Sequence, residues 1–204
     1  MVIIALCGLK RVGKDTVADY LVESRGFRHV KFTEPLKDGL CAFFGFTREQ
    51  IEGPDKDVVD RTWGVTPRRV MQWMGTDVMQ FKVAELLPDV GRKFWAMQLV
   101  NKIRALLAPK HAEDRCDRVV VSDLRFRHEH ECLKQAFGAD LVTVRIVRPA
   151  LGTVDEHLSE LEVDSIVPDF IIENVGTAAE FLAAWRRLPD AITRDTMRQT
   201  FANA

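Results

Sequence analysis

The chain is short of the features that would place it outside the cell, in a membrane or on nucleic acid. Its four cysteines, Cys7, Cys41, Cys116 and Cys132, fall at no paired spacing. That argues against a disulfide framework and against a four-cysteine zinc site. The opening apolar run is too short for a signal peptide, and no stretch approaches the length of a membrane span. With 29 Lys and Arg against 30 Asp and Glu the net charge is −1, so no bulk charge drives nucleic-acid binding. Internal repeats and low-complexity tracts are absent. What is present is 204 residues, 47% of them hydrophobic. This suits one compact intracellular domain with room for an inserted subdomain.

The first twenty residues organise the rest. Val2-Ile3-Ile4-Ala5-Leu6-Cys7 is a short apolar run rich in β-branched residues, and Thr16-Val17-Ala18-Asp19-Tyr20-Leu21 puts Val17, Tyr20 and Leu21 on one helical face. Between them lies Gly8-Leu9-Lys10-Arg11-Val12-Gly13-Lys14-Asp15-Thr16. Strand, glycine loop and helix in that order are the setting a phosphate-binding loop requires. Gly8 and Gly13 let backbone N–H groups turn inward, the helix adds its positive N-terminal dipole, and Lys14 reaches a β- or γ-phosphate oxygen. The common pattern places a hydroxyl directly after the lysine, to ligate magnesium. Here Asp15 takes that position and the hydroxyl follows at Thr16. A carboxylate beside bound phosphate repels it unless a cation intervenes or it takes a proton. Asp15 therefore reads as a partner of magnesium or of a substrate hydroxyl.

Further along, Arg28-His29-Val30-Lys31-Phe32 reads as a second strand, following Gly26 as a helix C-cap. Leu36, Leu40, Phe43 and Phe44 mark a helix over residues 34–44, and residues 45–60 read as a polar, mobile connection. Thr66-Pro67 opens a helix with Thr as N-cap and an apolar set of Val70, Met71, Trp73, Met74 and Val78. Another helix spans about residues 93–108, and nothing between Phe32 and Arg118 reads as strand. The sheet resumes with Arg118-Val119-Val120-Val121-Ser122, then residues 141–147, then Phe170-Ile171-Ile172-Glu173. Thr177 caps a helix bearing Phe181, Leu182 and Trp185, and residues 192–204 read as a docked helix or a frayed tail. Strands alternating with helices predict an α/β fold: a parallel five-stranded sheet with helices on both faces and a large helical insertion between the second and third strands.

Ligands of such sheets lie at the carboxyl ends of the strands. Four ends converge there: Gly8 to Thr16, Asp123 with Arg125, Arg148, and Asn174 to Thr177. Asp123 is placed to orient magnesium or a substrate group, or else to cap the helix that follows it. Lys14, Arg11, Arg125 and Arg148 are candidate cations around a transferred group. Of the three insertion tryptophans, Trp73 falls on an apolar helical stripe and reads as core, whereas Trp63 and Trp95 remain candidates for base stacking. Arg68 and Arg69 open a helix, where the dipole disfavours cations; phosphate binding and a solvated surface both account for them. His128-Glu129-His130-Glu131-Cys132 invites a zinc reading, but residues two apart on a helix do not share a face. It reads as polar helix surface.

Together these pieces resemble the phage-type deoxynucleoside monophosphate kinases, a branch of the P-loop nucleoside monophosphate kinases. The resemblance runs over most of the chain. It rests on the loop with its Asp15-Thr16 ending, Pro35-Leu36-Lys37 with Phe44-Gly45, and Thr66-Pro67-Arg68-Arg69 with Gln72 and Gly75-Thr76-Asp77. Trp95, Asp123-Leu124-Arg125-Phe126 with Glu129, His157-Leu158-Ser159-Glu160 and Asn174-Val175-Gly176-Thr177 complete it. The resemblance implies a P-loop kinase that transfers the γ-phosphoryl group of ATP to a deoxynucleoside monophosphate, supplying DNA synthesis. Gly8, Lys10, Arg11, Gly13 and Lys14 would hold the ATP phosphates, with Mg2+ near Thr16 and Asp15. Lys37, Arg68, Gly75, Thr76, Trp95, Asp123, Arg125 and Glu129 would surround the acceptor. Asn174, Gly176 and Thr177 would lie by the adenine, and Arg148 by ATP or the transferred group.

The implied organisation is a kinase domain over 1–190, with a core of 1–32 and 118–190. It carries an acceptor-binding insertion over about 33–117, a lid over about 149–168, and a C-terminal helix or tail over 191–204. A homodimer, a cytoplasmic setting (host cytoplasm if viral) and no nucleic-acid or membrane partner go with it. The lid departs from many relatives in having no arginine between Arg148 and Arg186, which points to water exclusion as its task. The competing readings are a P-loop kinase for dephospho-coenzyme A or phosphomevalonate, in which Trp95 would be buried against apolar neighbours only, and a nucleotide-gated binding module.

Overall fold

The computed structural model describes residues 1–108, 116–149, 162–190 and 192–201. Five strands pair into one sheet: β1 (Val2–Cys7), β2 (Arg28–Val30), β3 (Arg118–Val121), β4 (Leu141–Val147) and β5 (Phe170–Glu173), in the order β2-β3-β1-β4-β5. Every pairing is parallel. The central strand β1 is buried along its whole length, as befits a continuous apolar run in a sheet covered on both faces. The expected second strand stops at Val30, which frees Lys31 from the ladder. The helices are α1 (Lys14–Arg25), α2 (Glu34–Phe44), α3 (Arg48–Glu52), α4 (Pro67–Gln72), α5 (Phe94–Leu107), α6 (Arg127–Phe137), α7 (Ala178–Arg186) and α8 (Arg194–Phe201). The chain divides into two compact units, residues 1–31 with 99–204, and residues 32–98.

The first unit holds the sheet. Ile4 and Leu6 of β1 pack in one cluster with Val17, Ala18 and Leu21 of α1 and with Phe181 and Trp185 of α7. Strand side chains alternate faces, and Ile3 and Ala5 on the other side are equally inaccessible. The C-terminal stretch resolves into a docked helix, because Met197 of α8 is fully buried in the same cluster. Phe201 meets the Trp185 and Phe170 rings edge-on at 5.2 and 5.6 Å. Of the expected lid, residues 150–161, including His157-Leu158-Ser159-Glu160, lie outside the described residues; Val163–Ser165 forms a 3-10 turn.

The regular elements of the second unit are all helices, with no strand among its described residues, and they close on a core of Leu36, Leu40, Phe46, Ile51 and Val70. Where the sequence read a polar, mobile connection over residues 45–60, the structure has helix at Arg48–Glu52 and a 3-10 turn at Pro54–Asp57. Thr47 caps α3 in a reciprocal box with Gln50, and Ile51 is driven into the core. Thr66 caps α4 as expected, accepting from the Arg69 N–H at 3.2 Å. The helix then changes character, and Trp73–Phe81 is π-helical. This wider spacing re-aims the apolar stripe, leaving Trp73 46% exposed rather than in the core. Such π segments are rare and are frequently found at functional sites.

Trp185→Ala is expected to lower stability by about 3–5 kcal/mol, since it empties a fully enclosed site. Thr47→Ala is expected to lower it by about 1 kcal/mol. Urea unfolding followed by circular dichroism measures both.

Candidate functional site

The loop between β1 and α1 carries three left-handed residues, Gly8 (φ 132°), Arg11 (φ 62°) and Gly13 (φ 105°). A Cβ at Gly8 would stand 2.2 Å from the Ile146 carbonyl oxygen, so only glycine fits. Gly13 occupies the N-cap of α1 and offers no side-chain cap. The first-turn N–H groups of α1 are therefore available to an anion. The buried amide of Asn174, just past β5, donates to the Val12 carbonyl at 2.8 Å and holds the loop's second half. Lys14 is only 8% exposed and folds back over the loop, with Nζ donating to the Gly8 and Leu9 carbonyls at 2.8 and 2.6 Å. Lys10 is half-buried, and Arg11 and Thr16 are exposed.

Asp15 takes the opposite direction. Its Oδ1 accepts from Lys31 Nζ at 3.0 Å and from Ser122 Oγ at 3.2 Å. His29 Nε2 lies 2.7 Å from the same Ser122 oxygen. A hydroxyl has one proton to give; if Ser122 gives it to Asp15, His29 is the donor through Nε2–H. Burial raises the Asp15 carboxyl, but Lys31, the Ser122 hydroxyl and Lys14 outweigh it and hold the group below its ordinary range. Burial and then Lys31 push His29 down, against the pull of Asp15, Asp123 and Asp19. Lys31, Ser122 and His29 were not among the residues expected from sequence. The signal for Lys31 is its place just past the carboxyl end of β2, a fifth strand end beside the four expected to converge.

Asp123, 9% exposed, follows β3. It is not a helix cap, because α6 begins at Arg127 with Phe126 in the N-cap position. Glu129 is buried, correcting the expectation of polar surface, and so is His130. Glu129 Oε2 accepts from the backbone N–H groups of Arg125 and Phe126, both at 3.0 Å. Burial pushes its carboxyl up to about 8 despite these bonds. Thus Glu129 fixes the backbone at half-buried Arg125. Arg148 is exposed beyond the end of β4. Gly176 is left-handed, and Thr177 forms a capping box with Glu180 at the start of α7. His128 stacks on Phe126 at 5.3 Å. Among the described residues no group of three or more His, Cys, Asp or Glu side chains could hold a metal. The oxygen donors Asp15 and Thr16 do suit magnesium, which keeps several waters and takes its other ligands from substrate phosphates.

The remaining expected residues belong to the second unit. Lys37 pairs with Glu52 at 3.1 Å. Arg68 grips Asp57 with two nitrogens, its Nη2 at 2.9 Å from Oδ2. Trp95 is half-buried and donates from Nε1 to the Gly75 carbonyl at 2.9 Å. Buried Gly75 lies against Leu36, whose Cδ2 would be 2.7 Å from an added Cβ, and half-buried Thr76 follows in the π-helical turn.

The family model for deoxynucleotide monophosphate kinase matches residues 2–61 and 46–184. The chain belongs to this family. A protein of Acanthamoeba polyphaga mimivirus named for the same kinase is 34% identical, over 89% of this chain and 92% of its own. The deoxynucleotide monophosphate kinase of Enterobacteria phage T4 is 23% identical, over 90% of this chain and 96% of its own. That of Escherichia phage RB69 is 25% identical, over 88% and 96%. Among solved structures, a dephospho-CoA kinase from Campylobacter jejuni overlays with a TM-score of 0.45 at 16% identity, covering 99% of this chain and 98% of that one.

The position of Glu129 in this family member has a pH signature. A carboxyl raised in the fold stabilises it most below about 4.5, and that contribution is lost as the pH rises through about 8. Glu129→Gln keeps an acceptor for the two N–H groups and removes the titration. The stability of the wild-type chain relative to Glu129→Gln is therefore expected to fall between pH 5 and pH 8. The fall should be on the order of a few kcal/mol, read from urea unfolding at each pH.

Proposed function

We propose that this chain transfers the γ-phosphoryl group of ATP to a deoxynucleoside monophosphate, releasing ADP and the diphosphate for DNA synthesis. The observation that carries the reading is the curled loop entering the uncapped N-terminus of α1, with an ammonium and a carboxylate at successive positions. Membership of the family supplies the acceptor class.

In the reaction an oxygen of the acceptor's phosphate forms a bond to the γ-phosphorus while the bond to the β,γ-bridging oxygen breaks, and ADP leaves with that electron pair. The second pKa of a phosphate monoester is about 6, so the attacking oxygen is already anionic and no general base is needed. Catalysis rests on positioning and on neutralising charge. The loop N–H groups with Gly8, Lys10, Arg11 and Gly13 hold the polyphosphate, and Lys14 exchanges its carbonyl partners for phosphate oxygen. Magnesium, when bound, screens the phosphate charges from one another; Thr16 and Asp15 would hold it, directly or through water. Arg11, Arg125 and Arg148 serve the transferring group, and Asp123 orients the acceptor. Lys37, Arg68, Gly75, Thr76 and Trp95 receive the acceptor nucleotide, with Glu129 acting through Arg125. Asn174, Gly176 and Thr177 border the adenine.

Trp95 has a polar bond to Gly75. The condition that would have favoured a coenzyme A or isoprenoid acceptor is therefore not met.

Coupled ADP release with magnesium-ATP against four deoxynucleoside and four ribonucleoside monophosphates tests the reading. Turnover with the deoxynucleotides, and little with the ribonucleotides, is expected; silence across all eight would overturn it. Lys14→Ala is expected to cost about 10²–10³-fold in kcat with the circular dichroism spectrum unchanged. Asp15→Asn is expected to lower kcat by a larger factor than it raises KM for ATP.

A further inference from the structure

A carboxylate in the first turn of a phosphate-binding helix opposes the ligand the helix attracts. Asp15 stands directly after Lys14 in the loop that, on the reading above, holds polyphosphate. Something must offset its charge before magnesium arrives. The strand register brings the means into place. Val30 and Val121 are partners on β2 and β3, so the next residues, Lys31 and Ser122, leave the sheet side by side at its carboxyl end. Both reach the same Asp15 oxygen, at 3.0 and 3.2 Å. His29, two residues before Lys31, holds the Ser122 hydroxyl at 2.7 Å. Among the described residues both of these bonds fall on Oδ1 rather than Oδ2.

We infer that Lys31 is a positioning residue for this site: its ammonium neutralises and aims Asp15, so that the carboxylate can stand at the loop without opposing polyphosphate binding. Ser122, held by His29, fixes the same oxygen from the other strand. The inference rests on the phosphate-binding reading of the loop. The Lys31 side chain is one-third exposed and that of Asp15 is more so, so the pair contributes little to folding. Its effect is on the charge the ligand meets.

A double-mutant cycle read by binding rather than turnover tests this. A fluorescent N-methylanthraniloyl ATP is titrated in EDTA into the wild-type chain, Lys31→Met, Lys31→Gln, Lys31→Arg, Asp15→Asn and the pair Lys31→Met/Asp15→Asn. Thermal melting is run on each. Removing the ammonium is expected to weaken binding by about tenfold, with the melting temperature unmoved. Lys31→Arg and the Lys31→Met/Asp15→Asn pair are both expected within about twofold of wild type, because no uncompensated carboxylate remains. Wild-type affinity in both Lys31→Met and Lys31→Gln would overturn the inference. So would a double variant as weak as Lys31→Met, since Lys31 would then contact phosphate itself. A wild-type chain that does not bind the analogue would overturn the phosphate-loop reading, an outcome distinct from the other two.

Discussion

No side chain can stand at position 8. An added Cβ would lie 2.2 Å from the Ile146 carbonyl oxygen, so the chain leaving β1 is pressed against the backbone of β4, its neighbour in the sheet. A second restraint comes from beyond β5, where Asn174 holds the Val12 carbonyl and its amide nitrogen would lie 2.8 Å from a Cβ on Gly13. The cradle is thus shaped by three adjacent strands. Arg11 is held left-handed between these two restraints, a conformation that costs a non-glycine residue about 1–3 kcal/mol and persists where the surroundings over-determine it.

The curl also separates opposite charges that are adjacent in sequence. Lys14 turns inward to the Gly8 and Leu9 carbonyls, and Asp15 turns toward the ends of β2 and β3. One residue points an ammonium into the loop, and the next carries an anion already matched by Lys31. Arg125 is set by similar means. Its backbone is held from below by Glu129, which is buried at the start of α6 and cannot itself meet solvent. In each case the outer group gains its direction from an inner one.

What sequence reveals here follows the range of the interactions. The central apolar strand, the glycine loop and the caps at Thr66 and Thr177 are local, and they stand where the residues predict. Thr47-x-x-Gln50 is as local, yet the polar residues around it obscured the cap and the buried Ile51 behind it. The misplacement of Trp73 has another cause. A stripe drawn at 3.6 residues per turn fails once the helix widens at Trp73–Phe81, and nothing in residues 73–81 announces that change. The partners of Asp15 lie 16 and 107 positions away. Their meeting depends on β2 pairing with β3 rather than with β1, a topological fact that no spacing encodes. Glu129 and His130 went the same way: four polar residues in a row read as surface, and tertiary packing buried two of them.

The two units keep their cations in different states, and the difference bears on what each can bind. Lys14 is buried and donates to two backbone carbonyls, so on the proposed reading a phosphate that takes its ammonium replaces two hydrogen bonds. Lys37 and Arg68 instead hold Glu52 and Asp57 in solvent-accessible pairs. An exposed pair such as Lys37–Glu52 contributes about 0–1 kcal/mol, so on the proposed reading exchanging that carboxylate for an acceptor phosphate costs little. The two-nitrogen grip of Arg68 on Asp57 is the firmer of the two.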